Sequence, residues 1–259
     1  MRTLSEITLA VARLVSPESI VTGSATAGTT SSISDTANLT QPNSYFDKGT
    51  LWILSGTHAG EVYQVTGHIG NKLNFATVTG AIATGVRYAV TQNIYPYQQI
   101  KNAVMSALSD THIDATDETL IGDGETLKFT LPAGVWDVKR ILIKHPTTLT
   151  DFYESTHWKE RHGKIEFDYG YAPEDDYIIR LVRRDQHPEL VDYDDEISAE
   201  IDYDWLKYKA AEYLLNWGMG KYGAQAEYRI EERMGMVLEK NKRLTPRLHM
   251  DVIITTAGA

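Results

Sequence analysis

Acidic side chains crowd into one stretch of the chain, and they are the first candidates for chemistry. Nine acids and no Lys or Arg lie between Asp185 and Asp204. Converging carboxylates can hold an oxygen-ligand cation, often around a tight glycine turn. The stretch has no D-x-D-x-D-G pattern. The alternative is a solvated loop leading into a helix, whose N-terminus favours negative charge. We expect the second arrangement, with no metal and no cofactor.

Histidines form the next candidates. The segment 55–60 (SGTHAG) lacks the G-x-S-x-G spacing of a nucleophile elbow, so we expect His58 to lie in a turn. The segment 157–162 (HWKERH) lacks the H-E-x-x-H spacing of a zinc site and is expected to be an exposed loop or strand end. The sequence has neither a Walker loop nor a G-x-G-x-x-G motif, and 220–223 is too short for a phosphate cradle. These residues predict no enzyme.

Composition narrows the class of protein further. The net charge of −10 over 259 residues argues against a surface that grips nucleic acid through its phosphates. The chain has no cysteine, which excludes disulfides and thiolate metal sites. The N-terminal segment is amphipathic and carries an acid, unlike a signal peptide, and no stretch is long and apolar enough for a membrane span. We expect a protein made in the cytoplasm, with no membrane partner.

Four helices are predicted. A capping box at Thr3–Glu6 opens the first helix, and Pro17 ends it. Pro96 begins the second, with Ile100, Val104 and Leu108 on one face. The third runs from about Asp202 to Met219, where Gly218, Gly220 and Gly223 are expected to break it. The fourth runs from about Ala224 to Lys242, with basic residues at its C-terminal end.

Two antiparallel β modules are predicted beside these helices. Residues 17–94 are rich in Gly, Ser and Thr and hold only seven charged residues, with short alternating runs between turns. We expect this module to be inserted between the first two helices. Between 118 and 184, a hairpin is expected to join 120–121 to 126–131 across Gly122-Asp123-Gly124. The strongest strand of this second module is expected at 135–145.

The sequence therefore predicts an α+β fold in four parts. A helical body combines 1–16, 95–112 and 200–245, the inserted β module is 17–94, the second β module is 117–190, and 246–259 is a C-terminal arm. The third helix is apolar over most of its circumference and needs neighbours on several sides, which makes subunit contacts a candidate. The expected interface residues are Trp205, Tyr208, Tyr213, Trp217, Leu248, Val252 and Ile254, the last three in an arm that is free to extend.

Several stretches together resemble a head–tail adaptor (connector) protein of a tailed bacteriophage with a β insertion. They are the opening helix running into VTGSATAGTT (21–30), DTANL (35–39) with DKGTLWI (47–53) and SGTHAG (55–60), and YPYQQIKNAV (95–104). The last is the strand pair followed by HPEL (187–190), the acidic run and the apolar helix. The resemblance covers most of the chain and rests on sequence texture rather than on an invariant motif.

This resemblance implies a structural virion protein rather than an enzyme. It implies a homo-oligomeric ring of twelve copies under the portal protein, contacts to tail, nozzle or neck proteins, and double-stranded DNA passing through without sequence readout. Arg183 and Arg184 are the expected members of any basic belt along that channel. The alternatives are another virion ring component, such as a head-completion, tail-terminator or nozzle protein, and a glycan-binding module displaying aromatics such as Tyr45 and Trp52.

Overall fold

A computed structural model describes residues 2–145, 151–223 and 229–244 of the chain. These residues form a mixed α+β protein with four helices and several antiparallel sheets. The chain divides into two compact units, of which the first joins the residues up to Asp110 with those from Pro188 onward and the second is Thr111–His187. Within the described ranges, none of the helices has the length and apolar character that a membrane span requires.

The elements follow one another along the chain in three groups. The first unit begins with β1 (Arg2–Thr3), α1 (Leu4–Val15), β2 (Ile20–Ser24), β3 (Ala27–Gly28), β4 (Ser32–Ser34), β5 (Thr50–Ile53), β6 (Val62–Ile69), β7 (Lys72–Phe75), β8 (Arg87–Thr91) and α2 (Tyr97–Ser109). The second unit contains β9 (Ile113–Ile121), β10 (Lys128–Thr130), β11 (Val138–Lys144), β12 (Tyr153–Ser155), β13 (Trp158–Arg161), β14 (Lys164–Phe167) and β15 (Ile178–Asp185). The first unit resumes with β16 (Glu196–Ile197), α3 (Tyr203–Tyr222) and α4 (Ile230–Arg243).

The four helices pack on one another in the first unit. The predicted capping box of α1 is confirmed, because Thr3 and Glu6 exchange side-chain to backbone hydrogen bonds. The first helix contacts each of the other three and buries most of its circumference, from Leu4 to Val15. The third helix also lies against all three others. Much of the apolar surface of the third helix is therefore buried within one copy of the chain.

The predicted break of the third helix at Gly218 and Gly220 is wrong. The helix continues to Tyr222 and ends at Gly223, whose φ of +66° suits glycine. Gly218 lies within the helix and instead allows Tyr95, just before α2, to pack closely against it. A Cβ added there would lie 2.9 Å from the hydroxyl oxygen of Tyr95 and 3.0 Å from its ring. Of the three glycines, Gly223 therefore ends the helix as predicted, whereas Gly218 serves packing.

The strands between α1 and α2 form one seven-stranded antiparallel half-barrel. Its strand order is β2-β8-β5-β6-β7-β4-β3. Its hydrophobic core contains fully buried side chains, among them Phe46, Leu51, Leu73 and Tyr88. The alternation of apolar and polar residues in the sequence thus correctly predicted antiparallel strands in this part of the chain.

The second unit contains two antiparallel sheets over one core. The orders are β12-β11-β15-β9 and β10-β14-β13, and the shared core includes Ile141, Phe167, Ile179 and Leu181. The predicted hairpin across Gly122-Asp123-Gly124 is wrong, because β9 pairs with β15 and β10 pairs with β14. Short-range turn chemistry cannot reveal that the two strands part into different sheets.

Several predicted boundaries shift or fall outside the described residues. The second group of strands begins at Ile113 rather than near 118. The strong strand predicted at 135–145 is present as β11. The expected start of the fourth helix near Ala224 lies outside the described residues, and so does the whole expected arm 246–259.

Candidate functional site

The acidic stretch between Asp185 and Asp204, which we call the acidic segment, packs against the N-terminus of α1. The backbone N–H groups of Leu4 and Ser5 donate to the carbonyl oxygens of Asp195 and Tyr193, each over 2.9 Å. Just before them, Arg2 pairs with Ile197 in the two-stranded β1–β16 sheet. The first N–H groups of a helix lack partners within it, so this segment supplies the acceptors that α1 needs.

The same segment also caps α3. The side chain of Asp202 accepts a hydrogen bond from the backbone N–H of Trp205 over 2.7 Å. Asp204, in the first turn, pairs with Lys207, and this hydrogen bond lowers the pKa of the Asp204 carboxyl. The prediction that acids mark the N-terminus of the third helix is confirmed. No local pattern predicts that the backbone of the same segment also caps α1, because that helix begins far earlier in the chain, at Leu4.

Three carboxylates of this segment come close enough to share a cation. One oxygen each of Asp192, Asp194 and Asp195 lies within 4.8 Å of the others. Asp195 already has another task, since its carboxylate accepts the backbone N–H groups of Val191 and Asp192 over 2.5 and 2.9 Å. Those hydrogen bonds lower the pKa of the Asp195 carboxyl. The geometry is that of a self-capped acidic turn, and it explains the cluster without a ligand.

A partly buried hydrogen-bond network joins the half-barrel to this acidic segment. Nδ1 of His58 lies 2.8 Å from Oε2 of Glu61, and the hydroxyl of Tyr63 donates to the same oxygen. The hydroxyl of Tyr193 bonds to Glu61 as well, and burial followed by the charge of Glu61 raises the pKa of that tyrosine. His58 lies in a turn, as predicted, with 7% of its surface exposed. Sequence reasoning missed the role of Glu61, because the contact that joins the two segments is to Tyr193, which is distant in the chain.

The second histidine segment does not bring its two imidazoles together. His157 precedes β13 and His162 follows it, so the two rings lie at opposite ends of that strand. His157 stacks on Tyr171 with ring centroids 3.7 Å apart, and its Nδ1 lies 3.8 Å from a carboxylate oxygen of Asp168. The expectation of an exposed strand end is confirmed.

The DTANL motif forms a buried polar cluster in the half-barrel. Asp35 is fully buried and accepts hydrogen bonds from the backbone N–H groups of Ala37 and Asn38, from the Asn38 amide and from the hydroxyl of Tyr88. Burial alone would raise the pKa of Asp35, but these donors outweigh it and lower that pKa. The motif therefore has a structural explanation, since a buried carboxylate needs this many donors.

The four aromatic residues expected at an interface all have partners within the chain. Trp205 is buried, with 7% of its surface exposed. Trp217 packs against Tyr95 and lies under the ammonium of Lys221. The other two, Tyr208 and Tyr213, are half-buried and lie near Lys207 and Lys209. The remaining three expected residues, Leu248, Val252 and Ile254, lie outside the described part of the chain.

Tyr213 belongs to a polar clasp that fastens α2 and α4 to α3. Its hydroxyl donates to a carboxylate oxygen of Asp110 over 2.7 Å, which raises the pKa of Tyr213 to about 12. Lys209 lies within ion-pair distance of both Asp110 and Glu212. Glu212 in turn accepts from the side-chain amide of Asn241 on α4 over 2.7 Å. We call Asp110, Lys209, Glu212, Tyr213 and Asn241 the helix clasp.

The contacts described above join elements of the first unit to one another. Comparison of the chain with protein-family models, with curated proteins and with solved structures gives no match. The functional proposal rests on the residues, on their geometry and on the resemblance described above.

Proposed function

We propose that this protein is a structural ring component of a tailed-phage virion, a head–tail adaptor that docks under the portal. The observation that carries the proposal is the packed four-helix body. Its helices come from both ends of the chain, and the strands of the half-barrel leave it after α1 and return to it at α2. A body with β modules inserted between its helices is the organisation that the resemblance implies.

The contacts between the half-barrel and the rest of the first unit suit a protein that transmits mechanical force. Trp52 of the half-barrel is fully buried, and its indole N–H donates to the hydroxyl of Thr8 on α1 over 3.3 Å. Glu61 ties the half-barrel to Tyr193 of the acidic segment. A part joined to the helical body at two such points resists rotation about either one. This rigidity is what a connector that transmits force between a capsid and a tail requires.

The charge distribution is compatible with DNA passing without being held. The nine acids between Asp185 and Asp204 have no Lys or Arg among them. Binding of duplex DNA depends mainly on Lys and Arg neutralising its phosphates. An acidic wall separated from the DNA by water would let the polyanion slide.

Native mass spectrometry of the chain mixed with portal rings of the phage that encodes it tests this function. We expect many copies on each portal ring, twelve by the resemblance. A chain ending at Leu244, which lacks Leu248, Val252 and Ile254, is expected to bind the portal more weakly. A single monomer adduct for each portal ring, or no adduct at all, would refute the adaptor proposal.

The second candidate is another ring component of the same virion, which would share ring assembly but bind different neighbours. Binding to tail or neck proteins without binding to the portal would favour it. The glycan-binding alternative loses one of its two anchors, since Trp52 is buried against α1 and cannot stack on a sugar.

A further inference from the structure

One end of the second unit is acidic and carries exposed tyrosines. It consists of two loops, residues 122–127 and 168–177, which we call the acidic end. They contain six acids and no Lys or Arg, namely Asp123, Glu125, Asp168, Glu174, Asp175 and Asp176. Backbone hydrogen bonds hold the loops together, from Gly122 to Tyr177, from Gly124 to Pro173 and from Asp176 back to Gly122. The acidic end is therefore one connected surface.

Two aromatic rings project from this acidic end. Tyr169 has 93% of its surface exposed and Tyr171 has 51%. Tyr171 is held in place by stacking on His157. Tyrosine covers a large contact area with little loss of side-chain freedom, which makes it a common anchor at protein interfaces. An exposed aromatic that the unit's own core does not use is thus a candidate contact for a partner.

The opposite end of the unit has the complementary charge. It consists of residues 132–139 and 160–164, which we call the basic end. It carries Lys139, Arg161 and Lys164 against two acids, Asp137, which is paired with Lys139, and Glu160, whose carboxylate is held by the backbone of Val138. Trp136 projects from it with 60% of its surface exposed. Two hydrogen bonds connect these segments. The backbone N–H of Leu131 donates to the carbonyl oxygen of Gly163, and that of Val138 donates to a carboxylate oxygen of Glu160.

The strands of the unit keep these two ends apart. β14 leaves the basic end at Lys164 and reaches the acidic end at Phe167. β11 runs in the same sense, and β15 returns in the opposite sense. The two surfaces belong to one folded unit with a common core, so their separation is fixed. They therefore cannot meet within one copy.

We propose that the acidic end of one copy docks on the basic end of the next copy in the assembled ring. This inference rests on the proposed ring function and names the contact that would build it. The charges are complementary, each side offers an aromatic anchor, and both halves of the contact are on the same chain. Contacts between two different surfaces of identical subunits join head to tail and close into a ring when the rotation permits.

Cysteine trapping tests this contact, because the natural chain contains no cysteine. One variant carries Ala172→Cys in the acidic end and another carries Ala133→Cys in the basic end. When the two full-length variants are mixed and mildly oxidised, we expect a mixed disulfide dimer. The matched control replaces Ala133→Cys with Ala199→Cys, at an exposed alanine of the first unit. We expect the control pair to cross-link on the order of tenfold less, a difference of about 1.4 kcal/mol in association.

Charge variants separate docking from chance collision. Glu125→Lys with Asp175→Lys should reduce the mixed disulfide, and Arg161→Glu with Lys164→Glu on the other variant should restore it. The matched control, Glu189→Lys with Asp194→Lys, makes the same change of net charge at exposed positions of the first unit and should leave the yield unchanged. Raising the salt should lower the yield of the wild-type charge pair, because exposed charges are screened.

The outcomes distinguish this contact from the function that it serves. Equal yields for the mixed pair and the Ala199 control, or a charge swap without rescue, would refute the docking even if portal rings still fill with the chain. Mixed disulfides without any portal binding would support the docking and refute the adaptor proposal. Preferred Ala172–Ala172 or Ala133–Ala133 dimers would show a two-fold contact instead and would also refute the docking.

Discussion

At the scale of single residues, Gly23 and Asp35 form a close contact inside the half-barrel. A Cβ added at Gly23 would lie 2.2 Å from Oδ2 of Asp35 and 2.8 Å from the hydroxyl of Tyr88. The absence of a side chain is therefore what allows the buried carboxylate to reach its donors. The glycine in this strand reflects close approach rather than a turn.

Gly23→Ala should destabilise the half-barrel by about 1–3 kcal/mol, the usual cost of overpacking a buried site. Gly67→Ala is the matched control, because a Cβ there would meet only the amide of Asn74 at 3.7 Å, an ordinary contact. Urea unfolding of the two variants measures the difference. Equal midpoints would show that the cluster around Asp35 can shift at no cost.

Asp35→Asn should cost about 2 kcal/mol, because hydrogen bonds to a charged acceptor are lost and an amide donor then faces other donors. The pKa of Asp35 is lowered from 3.8 in the folded protein. The charge therefore stabilises the fold above that pH, and its contribution is lost as the pH falls through the folded-state pKa. Urea unfolding at neutral and at acidic pH should show the two proteins converging on acidification. Asp194→Asn, an exposed change, should leave neutral stability unchanged.

At the scale of elements, the helix clasp determines how α2 and α4 are held on α3. Tyr213→Phe removes the hydrogen bond to Asp110 and should reduce by one the number of phenol groups that titrate with a pKa of about 12, a set that also includes the buried Tyr97. The raised pKa means that the folded state is favoured at neutral pH and loses this contribution as the pH rises through the range from 10 to about 12. Ultraviolet titration follows the phenol groups. Tyr208→Phe is the control and should leave the number of phenol groups that titrate with a pKa of about 12 unchanged.

Deletion of residues 17–94, with a short linker in their place, should leave the four helices folded but less stable. The helices contact one another directly, yet the deletion removes the indole that covers Thr8 on α1. Circular dichroism measures helix content and the cooperativity of melting. Trp52→Phe in the full chain is the companion variant and should lose only part of that stability. Loss of helix content on deletion would show that the half-barrel is required for the body to fold.

Sequence periodicity identified the elements better than it identified their partners. Capping residues such as Thr3 and Asp202 act within one turn of their helix, so the sequence contains all the information that they need. Glu61 also bonds to Tyr193 and Gly122 pairs with Tyr177, and local patterns say nothing about partners this distant in the chain. For the same reason, Trp205 of α3 was predicted to be an interface residue. It is buried within its own chain, where α3 packs against the other three helices.

At the scale of the whole molecule, the acidic balance predicts weak DNA binding. Acids outnumber bases by 35 to 25. Arg183, a candidate for a basic belt, is already engaged by Asp185 and by the carbonyl oxygen of Gly134. A salt-dependent titration of the assembled ring with duplex DNA should show no tight binding near physiological salt. Micromolar binding that is lost when Arg183 and Arg184 are replaced by Ala would reverse this conclusion.

The docking of the α1 N-terminus on the acidic segment has a consequence for synthesis. Leu4 and Ser5 are translated long before their acceptors at Tyr193 and Asp195, which follow the half-barrel, α2 and the second unit in the chain. Until then α1 lacks both this cap and α3, and a short helix is marginal by itself. The half-barrel and the second unit are complete well before that moment and can fold earlier. The helical body is therefore the last part to form, and a ribosome stalled before residue 190 would carry folded β modules on an exposed apolar helix.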